Sequence, residues 1–317
     1  MIRQYLQAGL PKKCLLTAFL VGCSMSMSFA HGMLQETVTD TPAQTVPHDD
    51  GEGNFKSSDL FASMQAGDKA ALLMVHFGTT YDETRQLTID AINNKAKEAF
   101  KGVEVREAYT SRIIMRRLKT RGIDKVNPAE ALKQLKADGF THILIQSTNI
   151  IEGVEMESLR KDIASLEKEF KDIRIGNPLL YTPEDYENVI AAIVRKGAKE
   201  GATVLVGHGT YTPSTAQYAM TDYMLKAKGY DNFHVGTIEG YPTFDTMLAK
   251  LKTSGVKKVM LMPFMFVAGD HANNDIAGDW KKELEDNGYK VSVLMEGLGQ
   301  NPDIQDIFIE HARFAAK

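Results

Sequence analysis

PFMFVAGDHANNDIAGDW, residues 263 to 280, is the stretch of sequence from which the fold is deduced most directly. It overlaps an apolar run, 259–267, whose branched and aromatic residues predict a buried strand. The small polar residues after that run lead into a helical pattern, so His271 is predicted at the exit of a core strand. Ligands of parallel α/β sheets bind at that edge. The stretch therefore predicts an α/β fold with a histidine at its ligand-binding edge.

Strand and helix patterns alternate outward from this stretch, from residue 70 to the end of the sequence. The candidate strands are 70–77, 103–108, 142–147, 173–177, 203–207, 233–238, 256–262 and 290–295. Helical patterns between them include 82–99, 128–137, 183–199, 243–252 and 303–315. Such alternation predicts parallel sheets joined by right-handed crossovers. Two sets of four strands predict two similar α/β domains, 69–199 and 200–317, each a four-stranded parallel sheet flanked by helices.

The two sets of strands also align with each other as a weak internal repeat. The matching segments are 74–80 with 205–211, 105–109 with 235–239, and 143–155 with 259–271. The order of the matches follows the order of the predicted strands. The repeat therefore predicts that the two domains arose by duplication of one unit.

Three potential metal ligands follow three strands of the second set. His208 follows 203–207, Glu239 follows 233–238, and His271 follows the apolar run of the opening stretch. Neighbouring parallel strands lie about 4.8 Å apart, so side chains at their ends can converge. Two imidazoles and one carboxylate suit a divalent transition metal and leave coordination positions open. We therefore predict His208, Glu239 and His271 as metal ligands.

The first half carries Phe77, Tyr109 and Glu155 at the equivalent positions. Only one carboxylate remains there, so the repeat predicts a single site between the domains, with the metal on the C-terminal wall and Glu155 opposite. Phe77 and Tyr109 are predicted to line the cleft. The remaining histidines of the predicted domains are expected to be structural, and these are His76, His142, His234 and His311.

Composition and motifs exclude several classes of function. The hydrophobic content of 43% and charged content of 25% are typical of a globular protein. The net charge is −4 and no block of Lys and Arg is present, so a nucleic-acid partner is not expected. The sequence contains neither a Gly-x-x-x-x-Gly-Lys-Ser/Thr phosphate loop nor a Gly-x-Ser-x-Gly elbow. Nucleotide-binding and serine-hydrolase functions therefore lack support.

The first 30 residues have the pattern of a signal peptide. Arg3, Lys12 and Lys13 precede a short apolar run, 14–22, and Ser28-Phe29-Ala30 is a small-x-small cleavage site. The apolar run is too short to be a transmembrane span. Alternatively, Leu20-Val21-Gly22-Cys23 resembles a lipobox, which would make Cys23 a lipid anchor. Both interpretations predict an exported, periplasmic protein.

Residues 31–68 are predicted to be an acidic flexible linker. The segment contains seven Asp and Glu residues against one basic residue, Lys56, and is rich in Thr, Pro, Gly and Gln. Such a composition buries too little apolar surface to order the chain.

Five motifs carry a resemblance that extends over about 70–317. They are FGTTYDETR (77–85), YTSR (109–112), GHGT (207–210), EGYP (239–242) and PFMFVAGDHANND (263–275). By these motifs the chain resembles the class II tetrapyrrole chelatases, specifically the anaerobic sirohydrochlorin cobaltochelatases of the CbiK family. The resemblance implies two α/β domains around a tetrapyrrole-binding cleft, with cobalt bound by His208, Glu239 and His271. It also implies ATP-independent insertion of Co²⁺ into sirohydrochlorin during cobalamin biosynthesis.

Catalytic and substrate-binding roles follow from this resemblance. His208 is expected to be a metal ligand and the lead proton acceptor, with His271 as second ligand and Glu155 as a proton relay. Sirohydrochlorin is rich in carboxylates, which call for cationic and amide donors in the cleft. The residues predicted to contact the macrocycle are Phe77, Thr79, Arg85, Tyr109 and Thr210, with Arg112 as a further candidate.

Several alternatives remain open at this point. Histidine and glutamate ligands accept Fe²⁺ and Ni²⁺ as well as Co²⁺. The resemblance leaves haem binding open but unsupported, since Thr212 and Asn149 stand where relatives tend to carry a histidine that could serve as an axial ligand. A periplasmic carrier that binds a tetrapyrrole or metal without turnover is the alternative function. The sequence also leaves open whether the chain forms a homo-oligomer.

Overall fold

The structure is a computed structural model that describes residues 58–317. The predicted signal peptide, 1–30, with the proposed anchor Cys23, and residues 31–57 of the predicted linker lie outside the described residues. Within the described range, no helix combines the length and apolar character needed to cross a membrane.

Eight parallel strands form two sheets. The first sheet contains β1 Ala70–His76, β2 Glu104–Tyr109, β3 His142–Ser147 and β4 Asp172–Ile175. The second contains β5 Ala202–Gly209, β6 Phe233–Glu239, β7 Lys258–Pro263 and β8 Lys290–Val293. The strand orders are β2-β1-β3-β4 and β6-β5-β7-β8, so both sheets have the same topology. The predicted fold class, two duplicated α/β halves, is confirmed.

Helices connect the strands. In the first half they are α1 Asp82–Arg85, a π-helix Gln86–Asp90, α2 Ala91–Ala99, α3 Arg112–Lys119, α4 Pro128–Ala137, α5 Val154–Ala164 and α6 Pro183–Val194. In the second half they are α7 Ala216–Ala227, α8 Phe244–Ser254, a π-helix Ala272–Trp280, α9 Lys281–Asp286 and α10 Pro302–Ala315. Short 3₁₀ turns are Glu167–Glu169, Pro213–Thr215 and Leu298–Gln300.

Local sequence sets the start of two of these helices. Asn127 and Thr182 each accept a hydrogen bond from the backbone three residues on, while the acidic side chain there bonds back to the cap, forming capping boxes. A proline, Pro128 or Pro183, occupies the first helical position in both, where no amide donor is needed. The caps therefore explain why α4 and α6 begin at the predicted residues.

One apolar core joins the two halves. The rings of Phe264 and Phe266, which follow β7, are buried in the same cluster as Leu72 and Met74 of β1. Helix α10, although last in the chain, packs on β3 and β4 of the first sheet. Its His311 lies 2.9 Å from Asp185 of α6. The predicted boundary at 199/200 thus separates the sheets, but the last helix of the predicted C-terminal domain packs against the first half.

The prediction that the flexible linker extends to residue 68 is wrong for its last part. Leu60 is fully buried in the core, and its amide donates to the carbonyl of Ala316 at 2.8 Å. Asp68 pairs with Lys171 at 2.7 Å, which lowers the pKa of the Asp68 carboxyl to about 2. The described residues before β1 are therefore part of the folded unit, because one leucine provides the apolar anchor that composition alone does not reveal.

The prediction that His271 directly follows a core strand is also wrong in detail. β7 ends at Pro263, and the apolar residues after it leave the sheet to fill the core between the halves. His271 lies beyond this segment, at the start of the π-helix Ala272–Trp280. Glu155, its partner in the internal repeat, likewise lies at the start of a helix, α5. The repeat equivalence of the two residues is therefore preserved.

Candidate active site

A cleft lies between the halves at the carboxyl ends of the strands. First-half residues that line it follow β1, β2 and β3, and they are 77–81, Ser111, 113–114 and 148–151, together with Glu155. Second-half residues lie at the end of β5 and in the segments after β5 and β7, and they are His208, Gly209, Tyr218, 264–267 and 269–271. The strand order reverses between β1 and β3 in the first sheet and between β5 and β7 in the second. Open α/β sheets bind ligands at such points. The topology therefore places the cleft where the fold favours a ligand site.

Gly209 sets the backbone around His208. Its φ is +84°, and a Cβ there would lie 1.7 Å from the carbonyl oxygen of Glu239. Only glycine fits both the left-handed backbone and this close approach. The backbone of β5 therefore packs closely against the end of β6, where Gly209 and Glu239 are paired in register. This contact places His208 and Glu239 at the ends of neighbouring strands.

The structure brings His208 and His271 together. Their ring centroids are 4.7 Å apart and their planes lie at 82°. Nδ1 of His208 lies 3.1 Å from the carbonyl oxygen of Gly209, and Nδ1 of His271 lies 2.7 Å from a carboxylate oxygen of Asp275. Because both partners are acceptors, the neutral form of each ring carries its proton on Nδ1 and keeps a lone pair on Nε2. Two imidazole nitrogens at one wall of the cleft are thereby available to a metal ion.

The third predicted ligand, Glu239, is the last residue of β6 and is not among the residues that line the cleft. Across residues 58–317, no three His, Cys, Asp or Glu side chains form a group arranged to hold a metal ion. The histidine pair is thus the part of the predicted set that the fold assembles. Ligation by Glu239 stays a prediction.

Glu155 lines the cleft on the wall of the first half, as the internal repeat predicted. It is half-buried in the first turn of α5, where the helix dipole favours a carboxylate. Across the cleft, the buried ring of Tyr218 lies beneath Gly207, whose Cβ would be 2.3 Å from the ring. Burial raises the pKa of Tyr218, so its phenol stays protonated. The cleft therefore presents a carboxylate on the wall of the first half and a protonated phenol on the wall of the second.

The residues predicted to contact a macrocycle separate into two groups. Phe77 and Thr79 line the cleft. Arg85 does not, because its guanidinium pairs with Asp90 at 3.1 Å and with Asp82.

Tyr109 and Thr210 are absent from the cleft surface as well. The ring of Tyr109 is fully buried beneath Gly78, whose Cβ would lie 2.5 Å from it, so the prediction that Tyr109 lines the cleft is wrong. Thr210 is buried in a turn, where its hydroxyl bonds to that of Thr212 at 3.2 Å. Both predictions assumed that residues next to a strand end face the ligand.

His76 belongs to a buried hydrogen-bonded chain that ends at the cleft. Its Nδ1 lies 3.1 Å from the hydroxyl of Thr148, a cleft residue, and its Nε2 lies 3.0 Å from Oδ1 of Asn93. The amide of Asn93 donates to Glu107 at 2.9 Å. Burial lowers the pKa of His76 to about 4, so the ring is neutral near pH 7. These hydrogen bonds give His76 a structural role, as we predicted from the sequence.

Two carboxylates beside His271 were not singled out from the sequence. Asp275 orients the His271 ring, and Asp270 is paired across the cleft with Arg117 of α3. The i, i+4 spacing of His271 and Asp275 could have indicated the first contact, since such residues share a helix face. The second contact joins two distant segments, and local sequence carries no signal for it.

Comparison with known proteins identifies the family. Residues 70–317 match the family model described as cobalt chelatase (CbiK). The chain is 36% identical over 251 residues to a sirohydrochlorin cobaltochelatase of Salmonella typhimurium, which covers 77% of this chain and 95% of the relative. It is 32% identical over 253 residues to the sirohydrochlorin cobaltochelatase CbiKC of Nitratidesulfovibrio vulgaris, covering 77% and 89%.

Solved structures agree on the fold. SirB from Bacillus subtilis with Fe³⁺ superposes with a TM-score of 0.56 at 16% identity, over 78% of this chain and 96% of the other. A sirohydrochlorin chelatase SirB from Bacillus subtilis subspecies spizizenii in complex with cobalt gives a TM-score of 0.56 at 14% identity, over 78% and 95%. With the family match extending from β1 to the end of the chain, this protein belongs to the CbiK family of cobalt chelatases.

Proposed function

We propose that this protein inserts Co²⁺ into sirohydrochlorin, with His208 and His271 holding the metal on one wall of the cleft. The observation that supports the proposal is the histidine pair, with ring centroids 4.7 Å apart and both Nε2 atoms free to coordinate. Neutral imidazole binds cobalt well and leaves open positions for the nitrogens of a macrocycle. Glu239 completes the proposed ligand set and offsets the charge of the metal.

Insertion releases two protons, because Co²⁺ replaces two pyrrole N–H protons. As the metal passes to the macrocycle, the Nε2 atoms of His208 and His271 become free and can accept protons near neutral pH. Glu155, on the opposite wall of the cleft, is the proposed second acceptor and the route to solvent. The chain needs no nucleotide for this step, since chelation itself provides the driving force.

The cleft suits a flat, largely apolar ring with a polar rim. Its surface includes Phe77, Ile113, Ile150 and Val267, and Phe77 and Ile113 are 41% and 55% exposed. Apolar contacts of this kind favour burial of the macrocycle faces. Metal specificity follows only in part from the ligands, so Fe²⁺ and Ni²⁺ remain alternative substrates and haem is not proposed as a ligand.

A carrier that binds a tetrapyrrole without turnover is the alternative, and the family relationship favours the chelatase. A multiple-turnover assay separates the two functions. With sirohydrochlorin and Co²⁺ both in large excess over the protein, the absorbance change should continue well past one equivalent and depend on protein concentration. A change that stops at one equivalent would contradict the proposal and indicate a carrier.

We further propose that the chain is exported to the periplasm. The support is the basic residues Arg3, Lys12 and Lys13, the apolar run 14–22 and the Ser28-Phe29-Ala30 site. Mass spectrometry of the protein from a cell fractionation would give either a chain that begins at His31 or a lipidated chain that begins at Cys23. Recovery of the uncleaved chain from the cytoplasmic fraction would contradict export.

A further inference from the structure

A basic helix borders the cleft. Helix α3, Arg112–Lys119, has the sequence RIIMRRLK and contains no acidic residue. Ile113 of this helix lines the cleft, and Arg116 and Arg117 follow it by three and four residues, so they share its helix face. Arg112 precedes Ile113 at the start of the helix. Arg116 and Arg117 therefore stand next to an exposed apolar side chain at the rim of the cleft, and Arg112 shares a helix face with Arg116, four residues on.

Two of these arginines have no acidic partner among the residues that the structure describes. Within residues 58–317, Arg112 and Arg116 form no ion pair, although both are exposed. Arginine forks bind carboxylates with two parallel hydrogen bonds, which makes them good receptors for a carboxylate ligand. The rim of the cleft thus offers unsatisfied cationic donors on the side opposite the histidines.

The third arginine, Arg117, is held by the other half of the molecule. Its guanidinium donates to the carboxylate of Asp270, which also accepts a hydrogen bond from the hydroxyl of Tyr81. Asp270 immediately precedes His271, and both line the cleft. The Arg117–Asp270 pair therefore spans the mouth of the cleft, from α3 to the segment that holds a proposed metal ligand. With side chains 57% and 32% exposed, the pair is accessible to solvent and easily exchanged.

We propose that the α3 rim (Arg112, Arg116 and Arg117) is the subsite for the peripheral carboxylates of the tetrapyrrole, and that Arg117 leaves Asp270 when a substrate carboxylate arrives. This inference rests on the proposed function for its substrate class. Arg117 exchanges the Asp270 carboxylate for a substrate carboxylate and so keeps an ion pair. Breaking the contact across the cleft therefore costs little free energy. It also frees Asp270 beside His271 only when a substrate is present.

The test measures binding of metal-free porphyrins by fluorescence quenching, without Co²⁺ and therefore without turnover. Uroporphyrin I, an octacarboxylate, should bind more tightly than coproporphyrin I, a tetracarboxylate. Each of Arg112→Ala, Arg116→Ala and Arg117→Ala should raise the Kd for uroporphyrin I about threefold to fivefold, the range for exposed ion pairs. The matched control is Lys133→Ala, which removes an exposed positive charge from α4, a helix that contributes no residue to the cleft, and should leave the Kd within about twofold.

Asp270→Asn distinguishes carboxylate exchange from a purely structural pair. If Arg117 must leave Asp270, removing that carboxylate frees Arg117, and the Kd for uroporphyrin I should fall about twofold to fivefold. If the pair only holds the cleft together, Asp270→Asn and Arg117→Ala should both raise the Kd, which would overturn the exchange. Added salt should weaken the binding of uroporphyrin I to the wild type more than to a triple arginine variant that combines Arg112→Ala, Arg116→Ala and Arg117→Ala.

Failure of this inference is distinguishable from failure of the proposed function. If the wild type turns over sirohydrochlorin while the triple arginine variant has an unchanged KM and unchanged porphyrin binding, the α3 subsite is wrong and the chelatase function stands. If the arginine variants weaken uroporphyrin I binding but the wild type shows no turnover, the subsite stands and the chelatase function is wrong.

Discussion

The imidazole rings of His208 and His271 lie almost perpendicular to each other, with centroids 4.7 Å apart. One ring belongs to the penultimate residue of the central strand β5, and the other stands at the start of the π-helix that follows β7. In each ring Nδ1 is bound to an oxygen acceptor, so Nε2 is the coordinating nitrogen. Two distant segments of the chain thus present equivalent donor atoms to one point of the cleft.

Replacing either histidine should remove cobalt binding. His208→Ala and His271→Ala each delete one of two imidazole donors, and we expect Co²⁺ affinity to fall by more than the roughly 10- to 100-fold lost with a residue that orients a metal-bound histidine. Isothermal titration should show one Co²⁺ site in the wild type and none in either variant. The matched control, Asn274→Ala, changes an exposed residue of the same π-helix and should retain the site. A full-strength site in His271→Ala would contradict the assignment.

Asp275 should act through His271. Its carboxylate accepts the Nδ1 proton at 2.7 Å, which fixes the tautomer and raises the basicity of Nε2. Asp275→Asn should lower Co²⁺ affinity about 10- to 100-fold, as for other residues that orient metal-bound histidines. Circular dichroism should show an unchanged fold. An unchanged Co²⁺ affinity in this variant would mean that the His271 ring is oriented by other contacts.

The two carboxylates of the proposed site should have separable effects. Glu239→Gln removes the proposed anionic ligand and should weaken Co²⁺ binding, whereas Glu155→Gln should leave Co²⁺ affinity unchanged and lower kcat about 10²- to 10⁴-fold, the range for a general base. Titration and turnover assays on the same preparations measure both effects. If Glu239→Gln binds Co²⁺ as tightly as the wild type, the histidine pair alone holds the metal in the protein.

Acidification should destabilise the fold through two buried histidines. Burial lowers the pKa of both His76 and His234 to about 4, below the ordinary value of 6.5. In this pH range the two histidines bind protons in the unfolded chain but stay neutral in the folded chain. The free energy of unfolding therefore falls as the pH drops from about 6.5 towards 4. Each group contributes up to about 1.4 kcal/mol per pH unit. Well above pH 6.5 this effect is absent, because both rings are then neutral in both states.

Urea denaturation between pH 6.5 and 5 measures this effect, since most carboxylates remain ionised there. His234→Phe removes one of the two groups, so the slope of the unfolding free energy against pH should fall by roughly half. An identical slope in the wild type and the variant would show that other groups cause the pH dependence.

The segment before β1 should contribute to stability through Leu60. Its side chain is fully buried, so Leu60→Ala should lower the free energy of unfolding by about 2 to 5 kcal/mol. Phe314→Ala is the matched control, because that ring is 74% exposed and its loss should cost less than about 0.5 kcal/mol. Equal effects of the two substitutions in a thermal or urea titration would contradict the packing of this segment.

The strands and their grouping could be predicted from sequence because β1, β3, β5 and β7 contain short apolar runs, and β2, β4 and β8 are short segments that contain branched apolar residues. β3 and α4 begin and end at the predicted residues. The end of β7 could not be located, since Phe264 and Phe266 continue the apolar run while filling the core between the halves. The pattern of apolar residues in a sequence predicts which residues are buried. It does not predict whether a buried residue belongs to a sheet.

The site was predicted where it depends on strand order and missed where it depends on tertiary contacts. His208, His271 and Glu155 lie at the cleft because the internal repeat places them at equivalent ends of the sheets. Tyr109 has the same kind of position, but Gly78 leaves room for its ring to turn into the core. The contact between Arg117 and Asp270 forms only when the two halves close on each other.

Anomalous diffraction from crystals that contain Co²⁺ tests the central claim most directly. We predict one strong cobalt peak in the cleft, within coordination distance of Nε2 of His208 and Nε2 of His271, and its loss in His271→Ala crystals. The same map shows whether Glu239 joins the two histidines. A cobalt peak outside the cleft, or one in the cleft that survives in His271→Ala, would contradict the account.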